Sequence, residues 1–550
     1  MKNKILIYMC LLFLGAFSSS CSKDFLELHP IAADNEAAFY QNMLHADQAI
    51  AACYSQLNNR SAWDRDLIMG FGDVTSDDAE AGGASVNEVP GVESMNRLNT
   101  NPNEEYVSQF YGTCYRGINF ANIAITKLPS IKDTDPEVNV DLLNKRIAEA
   151  KFIRALNHFY LLITFGEVPM VDHILGPSEY SNGRSSFRDL FDLIEKDLTE
   201  AMAVLPERGG WNGEEGRATK GACQALLARA YLYESSYAKY YTDDARFDVC
   251  KERWTDALKS AEDVINSNKY QLVGINGETY NTWRSQNTNG FSYIFTSEGD
   301  YSPEVVFEIT CIGEGKGYDY ARGQSIAHWS SCRRYIKPDG TISDTQYWGL
   351  SLPHPALKEA FDPGDPRLEA SIAWEGGNDS IEVSGGIKYP MSFDQSVTKT
   401  YARKYEASAA EYIDAESTWH GAPANVKLIR YSDVYLIAAE AAFALGQTDK
   451  ALTYINKVRE RARMCGTTGQ PAALTSVTLA DIIKERRLEF AGEGHRMFDI
   501  VRWNIAADLL KESTFDGTAI TYVKGKNEFQ PLPQREVELS NGNLAQYPGW

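Results

Sequence analysis

The sequence predicts a mostly α protein, and three observations predict it. Apolar residues recur at helical spacing over many long segments. Several of those segments carry alanines beside larger apolar residues, as close-packed helix pairs require. One long stretch, 268–425, breaks the pattern, being rich in Gly, Asn, Ser and Tyr.

Lys2 and Lys4 precede an apolar run from Ile5 to Phe17. As a helix that run reaches roughly 20 Å, short of a hydrocarbon core of about 30 Å. With Ser18 to Ser20 behind it, residues 1–20 read as a secretory signal peptide rather than a membrane span. Cys21 follows, where a bacterial-type signal is cleaved, and reads as a lipidation site. Several acyl chains there would anchor the chain stably, each buried methylene contributing about 0.8 kcal/mol. Plain secretion with cleavage near Ser20 is the alternative.

Helical spacing starts in "AAFYQNMLHADQAIAACYSQL" (37–57), and residues 61–105, rich in Gly, Asn and Asp, read as irregular. Helices are expected at 106–128, 143–165, 186–205, 219–240 and 252–267, then at 427–445, 448–463 and 479–491. Residues 504–550 read as irregular. "VYLIAAEAAFALGQTDKALTYINKV" (434–458) has Ala439, Ala442 and Ala451 placed to let two helices approach closely. Weaker echoes at 201–205 and 257–264 suggest tetratricopeptide-like repetition, at about 34 residues per helix pair.

Fifty-four basic against 75 acidic residues give a net charge of −21. Such a surface repels nucleic acid, and no basic stripe argues otherwise. Nine cysteines do not form a disulfide framework. Cys10 lies in the signal, Cys21 is the lipidation candidate, and the other seven are scattered and odd in number. They read as small buried hydrophobes.

"KERRLEFAGEGHRMFDIVRW" (484–503) is the densest charge cluster. Arg486 and Glu489, Glu493 and Arg496, and Asp499 and Arg502 are each three apart, as opposite charges sharing a helix face. Apolar residues between them supply a buried side, and His495 has no second histidine nearby. Paired charges around an apolar seam suit a helix–helix joint better than an acid–base site.

The same stretch, as "IIKERRLEFAGEGHRMFDIVRW", resembles the C-terminal signature of the SusD/RagB family of nutrient-binding outer-membrane lipoproteins. "EAKFIRALNHFYLLITFGEVPMV" (149–171), "ATKGACQALLARAYLY" (218–233), "FDPGDPRLEA" (361–370), "RYSDVYLIAAEA" (430–441) and "PLPQREVELSNGNLAQYPGW" (531–550) resemble further family segments in the expected order. In the last, Tyr547 replaces the family's usual Asn. The resemblance implies four tetratricopeptide-like helix pairs and a loop-rich ligand region. It divides the mature chain into an N-terminal region, 21–225, and a C-terminal region, 226–550. It also implies a surface-exposed lipoprotein, anchored in the outer membrane at Cys21, that sits on a SusC-like TonB-dependent β-barrel transporter. Acids after Cys21, such as Asp24, resemble the family's surface-export signal. The ligand implied is an oligosaccharide or polysaccharide, or in some members a peptide, with no cofactor and no catalysis.

The residues themselves place the ligand in 268–425. Roughly a quarter of the chain holds five of ten tryptophans and twelve of thirty tyrosines. A flat ring covers the apolar face of a sugar while Asn, Asp or Arg pair with its hydroxyls. Burying about 80 Å² at roughly 25 cal/mol/Å² gives about 2 kcal/mol gross per ring, so several rings are needed. Trp283, Trp329 and Trp348 are preferred over Trp374 and Trp419 because their surroundings are polar, with Arg284, Asn287 and Arg333 as hydroxyl partners. Trp63 and Asp73, in "SAWDRDLIMGFGDVTSDDAE" (61–80), are second candidates. The acids of "SDDAE" lack the spacing and glycine of a calcium loop, so no metal is expected.

A surface glycoside hydrolase would need paired carboxylates at a set separation. H-E-x-x-H, G-x-S-x-G and the phosphate-cradling glycine patterns are all absent. A helical scaffold that binds only proteins is a third reading, and the aromatic enrichment outside the helices weighs against it.

Overall fold

The computed structural model describes residues 39–59, 62–85, 87–312, 323–344, 347–384, 387–407, 421–511, 517 and 520–550. The expected signal peptide, Cys21, Asp24 and Trp419 lie outside these residues.

About 48% of the chain is helical. Eight helices form the frame: α1 (Met43–Ser55), α2 (Glu105–Lys127), α3 (Val140–Phe165), α4 (Phe187–Met202), α5 (Lys220–Tyr240), α6 (Trp254–Asn266), α7 (Tyr431–Ala444) and α8 (Thr448–Met464). Each packs on the one before it, so they make four successive pairs, with α7 seated on α6 across the intervening 268–425 segment. Side-chain caps fix the starts: Asn139 accepts from the Leu142 N–H, Ser186 from Asp189 and Thr219 from Ala222. Ala438, Ala439, Ala441, Ala442 and Ala451 are fully buried, as the close approach of α7 and α8 requires.

The strands are short: β1 (Ala79–Gly82), β2 (Thr279–Tyr280), β3 (Thr288–Asn289), β4 (Val305–Ile309), β5 (Arg334–Tyr335), β6 (Leu350–Pro353), β7 (Ile372–Trp374), β8 (Ser380–Ser384), β9 (Ile387–Ser392), β10 (Thr400–Ala402) and β11 (Val426–Arg430). They pair antiparallel as β1–β6, β2–β3, β4–β11, β7–β10 and β5–β9–β8. β1–β6 brings residues 79–82 against the ligand-region segment 350–353, in the register Ala79 to Pro353 and Gly82 to Leu350.

Residues 62–74, expected as irregular, form a π-helix, Ala62–Val74, in which every residue is buried. A helix enclosed on all sides shows no polar face, and the wider π turn does not follow the 3.6-residue period. Gly72 lets this helix touch the chain at Gly494 backbone to backbone. A Cβ at Gly72 would lie 2.3 Å from the Gly494 carbonyl oxygen. All seven cysteines between Cys53 and Cys465 are free thiols, five of them buried.

The charge cluster spans α9 (Leu479–Glu489), a turn with Gly492 and Gly494 at positive φ, and α10 (Arg496–Arg502). It is a joint, as expected, but two of the three expected local pairs are replaced by long-range ones. Arg486 donates to Asp433 and Asp499, both at 2.9 Å. Glu493 accepts from Arg430 at 2.7 Å and Lys404 at 2.9 Å, and Arg496 donates to Asp77 at 2.7 Å. Only Asp499 and Arg502 pair locally, at 2.8 Å. The helices turn these charges inward, where bonds across the joint satisfy buried groups that a surface pairing would leave in water. Asp77 and Asp78, considered as calcium ligands from the sequence, are held instead by Arg496 and Arg487.

His158 in α3 is buried as the neutral ring. Its Nδ1 faces the Arg154 carbonyl at 3.0 Å and its Nε2 accepts from the Val171 N–H at 3.3 Å, so a second ring proton would displace that donor. Burial lowers its pKa from 6.5 to about 4. The unfolded chain therefore takes up a proton below pH 6.5 that the folded chain refuses until about pH 4. Stability carried by this ring falls across that window, by on the order of 3 kcal/mol. In urea titrations between pH 6.5 and 4.5, His158→Gln is expected to remove close to one proton from the slope. An unchanged slope would mean that the ring is not held neutral.

Candidate functional site

Trp329 and Trp348, nineteen positions apart in sequence, come together with ring centroids 5.4 Å apart and planes inclined at 35°. The π-helix positions Trp329. Asp64 accepts from the backbone and hydroxyl of Ser325, at 2.5 and 3.0 Å, and so fixes the start of the short helix Ile326–Ser330. The next residue, Arg65, lays its guanidinium 4.4 Å from the Tyr106 ring and 5.7 Å from the Trp329 ring. Arg65 is tied down in turn by Asp66 at 2.6 Å. Burial pushes the Asp66 carboxyl up to about 8 in spite of that arginine.

Trp348 is held through its backbone. Its N–H donates to the His328 carbonyl at 3.0 Å, and its own carbonyl accepts from Arg333 Nη1 at 2.8 Å. Arg333 also reaches Glu88 at 2.6 Å and Gln395 at 2.8 Å. Gly349 follows at a φ of 60°, where its carbonyl accepts from Gly83, and β6 then runs against β1. The Trp348 ring is half-buried and packs on the main core, whereas Trp329 is 8% exposed. Tyr347, beside it, is half-buried as well. The result is an indole pair on a rigid backing, with one ring less deeply buried than the other.

The other sequence candidates divide in two. Trp283, Arg284 and Asn287 lie together on the β2–β3 hairpin. Trp283 is half-buried and Asn287 exposed, and Tyr280 of the hairpin stacks on Tyr293, in the short helix after it, at 3.9 Å. Arg284 is not aimed outward: it donates to the carbonyls of Arg403, Lys404 and Glu406 and so pins that loop. Arg333, 6% exposed, likewise spends its donors within the protein. Trp63 and Asp73 are also corrected. Trp63 is 1% exposed and packs edge-on against Phe110 and Tyr160. Asp73 accepts from the Gly494 N–H at 3.1 Å, and burial, followed by the charge of Asp78, raises its carboxyl well above the usual range. Both belong to the π-helix, whose enclosure the sequence reading missed. The same reading missed Arg65, Tyr106 and Tyr347; the "WDRD" at 63–66 was the one available hint.

Among the described residues no group of three or more His, Cys, Asp or Glu side chains is placed to hold a metal ion.

Residues 278–550 match the SusD family, and residues 24–232 match the family described as "Starch-binding associating with outer membrane". SusD-like protein P2 of Formosa agariphila is 24% identical over the full length of both chains. A solved laminarin-binding SusD-like protein is 25% identical, covering 93% of this chain and 100% of its own, with a TM-score of 0.71. Surface glycan-binding protein A from Bacteroides thetaiotaomicron, solved with laminarihexaose, has the same fold at 22% identity and a TM-score of 0.70, over 92% and 99% of the two chains. With both halves matched and the helical frame superposable along nearly its whole length, the chain belongs to the SusD/RagB family.

Proposed function

We propose that the protein is a surface lipoprotein that binds oligosaccharides or polysaccharides and passes them, chemically unchanged, to a SusC-like TonB-dependent transporter. Cys21 carries the lipid anchor to the outer membrane. The observation that supports this best is the Trp329–Trp348 pair: a half-buried indole fixed on a rigid backing matches the apolar face of a sugar ring. Trp283 and Asn287 on the β2–β3 hairpin give a peripheral contact. The laminarin-binding relative supports a glycan ligand, and the description of the matched N-terminal family supports the location.

Affinity electrophoresis in gels containing laminarin and other neutral polysaccharides tests the reading. The wild type should be retarded and should release no reducing ends. A stacked ring contributes about 2 kcal/mol gross, so Trp348→Ala should weaken binding at least about tenfold while the chain stays folded by circular dichroism and captures the transporter undiminished. Retention of full affinity would remove this face from the site, and release of reducing ends would make the protein a hydrolase.

A further inference from the structure

We propose that the helical frame carries a second saccharide site, in the groove between the loop that joins α4 to α5 and strand β4. The proposal rests on the glycan-binding reading but uses none of the residues of the tryptophan face.

The groove is concave and aromatic. One lobe, of about 210 Å³, is lined by Trp211, Tyr270 and Tyr301. A second lobe, of about 260 Å³, shares Glu215, Gly216, Arg217 and Glu308 with the first and extends toward Tyr54 on α1. The two together enter the range of roughly 300–1,000 Å³ typical of small-ligand sites. Trp211 is half-buried and its orientation is set. Its Nε1 donates to the Ala218 carbonyl at 2.8 Å, and the guanidinium carbons of Arg146 and Arg217 stand 5.3 and 5.6 Å from the ring. Tyr301 is oriented by a hydroxyl bond to Thr310 at 3.2 Å. Gly216, at a φ of 90°, brings the loop against both of these residues, where a Cβ would lie 2.6 Å from the Thr310 hydroxyl.

The polar groups fit hydroxyls rather than a charged ligand. Arg208 is anchored by two carbonyls, Tyr301 at 2.6 Å and Ser302 at 3.0 Å, and no carboxylate pairs with it among the described residues. Glu215 is exposed on the same wall. Arg217 and Glu308 on the same walls are already paired, with Glu149 and Lys427, so Arg208 and Glu215 remain as one cationic donor and one anionic acceptor, which repel neither sign strongly. With flat rings beside them, they match the alternating donors and acceptors around a neutral pyranose.

The test uses the full chain on an array of neutral oligosaccharides, with the Trp348→Ala variant as the background that isolates the groove. Trp348→Ala is expected to keep weak binding to some glycans that the wild type binds. Adding Trp211→Ala and Arg208→Ala should abolish that remaining binding. Adding only Glu215→Gln, which changes an exposed side chain and leaves folding untouched, should weaken it at least threefold. If Trp348→Ala, folded by circular dichroism, binds nothing while the wild type binds, the groove is not a saccharide site and the first reading stands. The groove is equally ruled out if neither set of substitutions in it alters the residual binding. If the wild type binds no neutral glycan, both readings fall.

Discussion

Glu489→Ala is expected to lower the unfolding free energy by about 3–5 kcal/mol, the usual result of breaking a buried ionic group on one side only. Glu489 has no exposed surface. Its carboxylate accepts from Arg430 at 2.9 Å, from Arg367 at 3.1 Å and from Arg461. Each arginine keeps another acid: Glu304 faces Arg430 and Arg461, and Glu485 faces Arg367. The loss is therefore one uncompensated positive charge spread over the nest, not three bare guanidiniums. Glu489→Gln keeps the shape and an acceptor oxygen and should cost less. Against the burial that would raise it, Arg461, Arg430 and Arg367 hold the Glu489 carboxyl well below the usual range. Its contribution is thus present above about pH 4.5 and is lost as pH falls through its lower folded value. Urea midpoints at pH 7 measure the effect. A loss under about 1 kcal/mol would mean that the nest rearranges around the gap.

Gly72→Ala should be as damaging for a different reason. The added methyl would meet Gly494 at 2.3 Å from its oxygen and 2.4 Å from its Cα, both backbone atoms that no rotamer change can move. Gly494 cannot retreat, because it sits at a φ of 73° with the Ile68 backbone 2.6 Å from where its own Cβ would be. The π-helix must shift by about an ångström, and Asp64 and Arg65, which orient Trp329, shift with it. A loss of about 3 kcal/mol is expected, at the upper end of the range for overpacked cores because the clash is with backbone, together with weakened glycan binding. Gly446→Ala is the control. It imposes a φ of 72° with nothing within 4 Å, so only the left-handed penalty of about 1–2 kcal/mol applies. Equal losses in the two variants would show that space at Gly72 is not the constraint.

The frame was legible in the sequence because its helices are long, periodic and capped, and because the alanine seam of α7 and α8 is a local pattern. The π-helix was not legible, since a fully enclosed segment containing Gly70 and Gly72 carries neither polar face nor helical period. That failure misled the site reading too, turning Trp63 and Asp73 into surface candidates. The Trp329–Trp348 pairing depends on the β1–β6 register and on Asp64 reaching Ser325, contacts between residues more than 250 apart. Composition could say that rings would gather in 268–425, but not which of them would meet. The groups that Arg284 and Arg333 bond within the protein are invisible for the same reason until the chain is folded.

The ionic nest has a consequence for how such proteins diversify. Glu304, Arg367 and Lys404 come from the irregular segment, Arg430 from the end of β11, Arg461 from α8 of the frame, and Glu489 and Glu493 from the joint after it. The decorated part of the molecule is thus bolted to its chassis at a few charged points, in addition to the apolar contacts that Phe291, Phe307 and Trp329 make with the main core. Loops strung between those bolts can be lengthened, shortened or rewritten to suit a new nutrient while the mounting stays the same.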